Sequence, residues 1–270
     1  KGSTCAMLEN ILGCAGYRVG LYTSPHLLDY NERVRIAGAP VEDAALCAAF
    51  ARVEAARKAA GDIALTYFEA GTLAAWECCV AANVDAIILE VGLGGRLDAT
   101  NLYDADCAIV TAIDIDHAEY LGDTREAIGF EKAGIYRAGR PAICCDPQPP
   151  QSLVDHAHAI GAPLRLLDRD FGYLNQELQW QFWNRKGDAT SRRSSLAFPG
   201  LRGPVQLQNA SGVLAALDAL AERLPVAMQD IRRGLLEVEL PGRFQMLPGR
   251  PAIVLDVAHN PQAARVLADN

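Results

Sequence analysis

The sequence predicts an α/β protein built on a doubly wound, mostly parallel sheet, and three observations carry that prediction. Short apolar runs alternate with helical patterns from the first residues to about residue 167, as strands and crossover helices do in βαβ units. Two motifs, EVGLGGRLDATN (90–101) and AIDIDHAEYLGDTREAIGFEKAGI (112–135), follow or overlap the ends of strand-like runs, DAIILE and CAIVTAI. In an open α/β sheet, ligands bind at the carboxyl ends of the strands, where these motifs fall. From about residue 171 the texture changes to short strand-like pieces between Gly, Pro and polar clusters, which predicts antiparallel strands.

In chain order the pattern reads helix 3–16, with Leu8, Ile11, Leu12 and Ala15 as its apolar positions, then strand 18–23 and helices 42–60 and 70–82. Strands 85–90 and 107–113, helix 123–134, strand 141–145, helix 151–160 and strand 164–167 complete the wound part. LQWQFW, SSLAFPG and GPVQLQ read as antiparallel edge pieces, and helices 209–223 and 227–238 close the domain. Prolines and glycines then cluster in ELPGRFQMLPGRP, marking a boundary. The expected division is a domain over 1–240, a linker over 241–251, and at 252–270 the first strand and helix of a second, Rossmann-like α/β domain. A helical pattern directly after KGST and another broken off at Asn270 predict a fragment truncated at both ends.

A net charge of -8 excludes a phosphate-backbone partner, because nucleic-acid binding draws on surplus Lys and Arg. With 50% hydrophobic and 21% charged residues, the disordered and collagen-like classes are excluded as well. No apolar run approaches the roughly 20 residues that span a bilayer, and no basic-then-apolar leader opens the chain, so no membrane is expected and the cytoplasm is the default compartment. The 8 cysteines form no C-x-x-C, and Cys78/Cys79 and Cys144/Cys145 are adjacent doublets, so they read as small buried hydrophobes in a reducing compartment.

Between residues 85 and 123 stand nine carboxylates and one cation, Arg96. Such a concentration invites a divalent ion, and oxygen donors with some imidazole suit magnesium or manganese better than zinc. Glu90 ends an apolar strand, where an unpaired buried carboxylate is costly, leaving two readings: a metal cation or an ion pair with Arg96. His117 reads either as an ordinary surface or core histidine or, among Asp114 and Asp116, as a metal ligand. Lys132 reads as a helix-surface lysine paired with an acid such as Glu126, or as an amine modified among acids. Ser24 reads as a turn or cap residue before Pro25, Lys1 as a mobile terminal lysine, Asn209 as a helix N-cap and Arg243 as a linker charge; Tyr67 and Phe68 read as ordinary core. His26, His156 and His158 carry no assigned role.

The strings YTSPHLLDYNERVRIAG (22–38), EVGLGGRLDATN, IDIDHAEYLGDT, EKAGI, LPGRF and DVAHNP resemble, in order and spacing, the bifunctional dihydrofolate synthase/folylpolyglutamate synthases of the Mur ligase superfamily. The resemblance covers essentially the whole chain. It implies a P-loop central domain in which Lys1, Gly2 and Ser3 bind the ATP phosphates, joined across the domain boundary by Asn209, Arg243 and Asp256. It implies Ser24, Glu90 and His117 as ligands of two magnesium ions, with Asp114 and Asp116 behind them and a carbamylated Lys132 ordering the second ion. Thr66, Tyr67, Phe68 and Glu69, with Leu97, Asp98 and Ala99, match segments that hold the pterin-bearing substrate. Tyr67 stands where the family commonly has phenylalanine. His259 matches a residue near the incoming glutamate.

The activity so implied is ATP-dependent ligation of L-glutamate to 7,8-dihydropteroate and to tetrahydrofolate polyglutamates through an acyl phosphate, in a protein expected to be monomeric. A carboxylate does not condense with an amine at neutral pH, so phosphorylation by ATP supplies the leaving group. A cell-wall Mur-type ligase shares the sheet, the metal ions and the lysine, but TSPHLLDYNERVRI and GLGGRLDATN argue against it. A catalytically silent nucleotide- or folate-binding module is the rival from another class.

Overall fold

The computed structural model describes residues 1–203, 205–258 and 261–268, with backbone only for 261–263 and 266. The first half of the chain comprises α1 (Gly2–Cys14), β1 (Val19–Tyr22), β2 (Val34–Ile36), β3 (Ala39–Pro40), α2 (Asp43–Ala59), α3 (Tyr67–Ala81), β4 (Ala86–Leu89), β5 (Ala108–Val110), α4 (Ala118–Leu121) and α5 (Arg125–Ala133). The second comprises β6 (Ala142–Cys144), α6 (Gln151–Ala159), β7 (Leu164–Leu166), β8 (Phe171–Asn175), β9 (Trp180–Lys186), β10 (Ala189–Leu196), α7 (Val205–Ala219), α8 (Met228–Leu236), β11 (Gln245–Leu247), β12 (Ile253–Leu255) and α9 (Pro261–Ala268).

The α/β reading holds, with one change in the sheet. β1 pairs parallel with β4 and antiparallel with β2, and β5, β6 and β7 form a parallel sheet of their own. β4 and β5 are not hydrogen-bonded to each other. A cleft of about 560 Å³ lies between them, lined along both strands and by Leu8 and Leu12 of α1 and Ala216 and Leu217 of α7.

β8, β9 and β10 form the antiparallel meander that the alternation beyond residue 171 predicts. GPVQLQ does not join it: residues 205–208 open α7, so the expected helix start at 209 moves up by one turn. Val205 and Leu207 alternate as a strand would, yet Leu207 packs into the core beside Leu214, and the hydroxyl of Ser211 donates to the carbonyl of Leu207 at 2.7 Å. Asn209 therefore sits inside α7 and caps nothing. Part of the expected linker is strand: β11 pairs antiparallel with β12. The short β2–β3 pair and α4 were not expected from the sequence.

Three apolar clusters hold the elements. The largest joins α1, α7, α8 and the meander through Met7, Ile11, Phe171, Trp180, Phe182 and Leu214. A second packs α5 and α6 on the β5–β7 sheet through Ile113, Ile128, Cys144, Leu153 and Leu166. A third packs α2 and α3 on β1 and β2 through Tyr22, Val34, Leu46 and Ala74. All eight cysteines are free thiols. Among the described residues, no helix is long and apolar enough to cross a membrane.

Candidate active site at the strand ends

β1 and β4 run parallel and end side by side, with Tyr22 opposite Leu89. The next residue along β4, Glu90, donates its N–H to the Tyr22 carbonyl at 2.9 Å, and its carboxylate Oε2 accepts the Ser24 N–H at 3.2 Å. Glu90 is only 6% exposed, and among the described residues no hydrogen bond reaches Oε1. An ion pair with Arg96 is ruled out, because Arg96 turns away to Glu131 at 2.9 Å. The buried carboxylate thus keeps an oxygen for a cation, next to Ser24.

The N-terminus of α1 points at the same place. Lys1 is anchored rather than mobile: its Nζ donates to the carbonyls of Val91 at 2.7 Å and Gly92 at 3.1 Å. A Cβ built on Gly2 would lie 3.7 Å from the Arg243 guanidinium and 3.8 Å from Glu90 Oε1, so Arg243 reaches the first turn of α1. Free amides at a helix N-terminus flanked by Lys1 and Arg243 make an anion site beside a cation site. Ser3 is buried in the first turn, and Thr4 donates weakly to Asn209 Oδ1 at 3.5 Å, placing Asn209 behind α1. Asn209 also donates to Gln206 Oε1 at 3.1 Å.

The loop after β4 is fixed by its own polar groups. Asp98 Oδ2 accepts the Leu93 N–H at 2.9 Å, and Oδ1 accepts Thr100 N–H at 3.0 Å and its hydroxyl at 2.6 Å. Asp98 caps the short 3-10 turn Ala99–Leu102. Asn101 then donates to the carbonyls of Arg96 and Gly134, both at 3.0 Å, tying the loop to the end of α5. Gly95 fits this contact because a Cβ there would meet the Glu131 carbonyl oxygen at 2.9 Å. Phe68 closes on Gly92, where a Cβ would lie 2.7 Å from its ring.

Beside it, Leu97 (80% exposed) and Tyr67 (64%) present apolar surface to solvent, which excludes the core reading for Tyr67. Thr66 and Glu69 form a reciprocal capping box on α3, with Glu69 N–H donating to Thr66 Oγ1 at 3.2 Å and Thr66 N–H to Glu69 Oε2 at 2.7 Å. That pattern, Thr-x-x-Glu before an apolar run, is legible in the sequence and starts α3 three residues before the expected 70.

His117 sits in the left-handed region at φ 51° and donates its N–H to Asp116 Oδ1 at 2.9 Å. Its ring is half-exposed, with Nε2 3.9 Å from Asp116 Oδ2. Asp114 faces Arg265 at 3.4 Å. Lys132, on α5, lines the cleft together with Lys1 and Glu90. Its pKa is lowered to about 8, first by burial and then by the charge of Lys1, with Asp116 pulling the other way. Glu126 is not its partner, since that carboxylate accepts the N–H groups of Gln151 and Ser152 at 3.1 and 2.8 Å.

Among the described residues, no three His, Cys, Asp or Glu side chains converge on one point. The donors are split among three loops, Ser24 after β1, Glu90 after β4, and Asp116 and His117 after β5. Asp256 accepts the N–H groups of Phe244 and Ala258, each at 2.8 Å, and so shapes the segment that carries Arg243. His259 lies outside the described residues. Two polar groups here went unread in the sequence, Arg125 and Asp146. The available signal was an aspartate immediately after the apolar run AICC, at a strand's carboxyl end.

No family model matches the chain. It is 47% identical over 267 residues to the dihydrofolate synthase/folylpolyglutamate synthase of Escherichia coli, covering 99% of this chain and 60% of that protein. Among solved structures, Escherichia coli FolC in complex with DHPP and ADP matches with a TM-score of 0.91 at 46% identity, over 98% of this chain and 61% of that one. A bifunctional folylpolyglutamate synthase/dihydrofolate synthase with Mn, AMPPNP and L-glutamate bound gives 0.89 at 47%, over 99% and 62%. The folylpolyglutamate synthase of Thermotoga maritima gives 0.87 at 31%, over 99% of this chain and 63% of that one. The chain spans about 60% of the length of the curated relatives it matches.

Proposed function

Because the chain belongs to the dihydrofolate synthase/folylpolyglutamate synthase family, we propose that the full-length protein is an ATP-dependent ligase that joins L-glutamate to 7,8-dihydropteroate and to tetrahydrofolate polyglutamates. The observation that carries this reading is the contact between Ser24 and Glu90 beside Lys1 at the N-terminus of α1. It sets an anion site against a cation site, which phosphoryl transfer from a nucleotide requires. The relatives bound to ADP, AMPPNP, Mn, DHPP and L-glutamate support the same substrates here.

In this reading the first-turn amides of α1, Gly2 and Ser3 among them, hold the ATP phosphates with Lys1 and Arg243. Asn209 and Asp256 contribute on the nucleotide side, and His259 stands near the incoming glutamate. The exposed Tyr67 and Leu97, with Phe68, Ala99 and the Thr66–Glu69 cap, form the wall for the pterin-bearing acceptor, and Asp98 gives that wall its shape. The acceptor carboxylate attacks the γ-phosphorus of ATP, the bond to the β–γ bridging oxygen breaks and ADP leaves. The glutamate amine then attacks the acyl carbon, loses a proton, and phosphate departs.

The donor set suits a divalent metal: a buried carboxylate with an uncommitted oxygen, a serine, and a carboxylate and imidazole on the loop after β5. Two Mg2+ ions, with Ser24, Glu90 and His117 as ligands, would supply neutralisation of phosphate charge when bound. Lys132 is suited to carbamylation, because a lysine with pKa about 8 offers its neutral amine to CO2 at physiological pH. The neutral amine forms an N–C bond with CO2 and releases a proton, and the resulting carbamate anion would help hold the second ion.

The domain division, 1–240, 241–251 and 252–270, makes the site one half of a cleft that closes over ATP, in a monomeric cytoplasmic enzyme. The test is phosphate release by the full-length protein with ATP, Mg2+, L-glutamate and either acceptor. Release that requires glutamate with both acceptors supports the bifunctional ligase. Release with one acceptor reduces the proposal to a single synthase, and release with neither replaces it by a binding module.

A further inference from the structure

We propose that Arg125 and Asp146 are positioning residues that lock the exit of the His117 loop to the start of α5, an inference that rests on the ligase reading. Asp146 follows β6, is 2% exposed, and accepts the Ile113 N–H on Oδ2 at 2.6 Å. Its Oδ1 accepts Arg125 at 3.1 Å and the Gln148 N–H at 2.9 Å. Arg125, the first residue of α5, donates to the Ile113 carbonyl at 2.6 Å and to the Gln148 carbonyl at 2.6 Å. Both backbone polar groups of Ile113, its N–H and its C=O, are therefore held by a carboxylate and a guanidinium that also hold each other.

The placement gives this clamp its role. Ile113 is 1% exposed in the cluster under α5, and the chain leaves it directly into Asp114, Asp116 and His117. Arg125 and Lys132 are seven residues apart on α5, so they share one face of that helix. The clamp thus fixes the exit of the His117 loop and the start of the helix that carries Lys132 at a single point. Charge-assisted bonds to backbone give orientation as well as energy. Groups that orient metal ligands typically change metal affinity about 10- to 100-fold when removed.

The test uses the full-length protein and Asp146→Asn, which keeps the shape and loses the charged acceptor pair. Asp218→Asn serves as control, because Asp218 pairs with Arg193 and touches neither the His117 loop nor α5. Two readouts are taken: Mn2+ binding by electron paramagnetic resonance, and amide hydrogen exchange over 112–118. The clamp predicts Mn2+ affinity lowered about 10- to 100-fold and Ile113 exchange at least about tenfold faster in Asp146→Asn, with both unchanged in Asp218→Asn. Unchanged exchange at 112–118 in folded Asp146→Asn overturns the clamp, as does an equal change in the control. Absence of Mn2+ binding in the unsubstituted protein instead removes the ligase reading, and the clamp's part in it, whatever the exchange shows.

Discussion

Replacing Lys132 by methionine is expected to stabilise the protein while abolishing its activity. The folded-state pKa of Lys132 is lowered from 10.5 to about 8, with burial the largest cause. The unfolded chain keeps that proton up to the ordinary value, so between about pH 8 and pH 10.5 the unfolded state binds more protons and stability rises with pH. Below about 8 the full cost of holding the cation is present, on the order of 3 kcal/mol. Methionine keeps most of the stem and removes the charge.

The expected result at pH 7 is a gain of about 2 kcal/mol, smaller than the full cost because the amine retains some solvent and Asp116 nearby. For a domain this size that is a rise in Tm of roughly 4–8 °C. The gain shrinks to near zero by about pH 10.5. Urea unfolding of both proteins at pH 7 and at about pH 10.5, without metal or nucleotide, measures it. A loss of stability at pH 7, or a gain that does not shrink with pH, refutes a Lys132 cation held at a cost.

Three further outcomes follow from the same geometry. Glu90→Gln removes the buried carboxylate at the end of β4, so Mg2+-dependent phosphate release should fall at least about a thousandfold, with folding retained by circular dichroism. Thr66→Ala opens the capping box on α3 and should cost about 1 kcal/mol in urea unfolding, with the larger kinetic change in KM for the acceptor rather than for ATP. Gly95→Ala forces a Cβ to within 2.9 Å of the Glu131 carbonyl, and should cost about 1–3 kcal/mol and lower kcat by moving the 91–101 loop off α5.

The wound part of the fold was legible because each strand is a short apolar run with a polar loop after it, and such runs place themselves at strand ends without tertiary help. Glu90 at a strand end was legible for the same reason, whereas Ser24 and Lys1 read from the residues alone as a turn residue and a mobile terminus, and only the resemblance drew them to the place where the structure sets them beside Glu90. What was lost depended on contacts distant in sequence. Val205 and Leu207 alternate like a strand, and only packing against Leu214 makes them helix. Arg96 had Glu90 as a carboxylate close by along the chain, yet the turn through Gly94 and Gly95 delivers it to Glu131 on α5. Asp146 and Arg125 lie 21 residues apart, and no local pattern joins them to Ile113.

Formation of an acyl phosphate from a carboxylate and ATP at this site is tested most directly with 7,8-dihydropteroate carrying 18O in its carboxylate, incubated with the full-length protein, ATP, Mg2+ and L-glutamate. One 18O atom is expected in each phosphate released, because the oxygen that attacks phosphorus leaves with it when the glutamate amine takes the acyl carbon. Amide product accompanied by unlabelled phosphate would contradict an acyl phosphate intermediate.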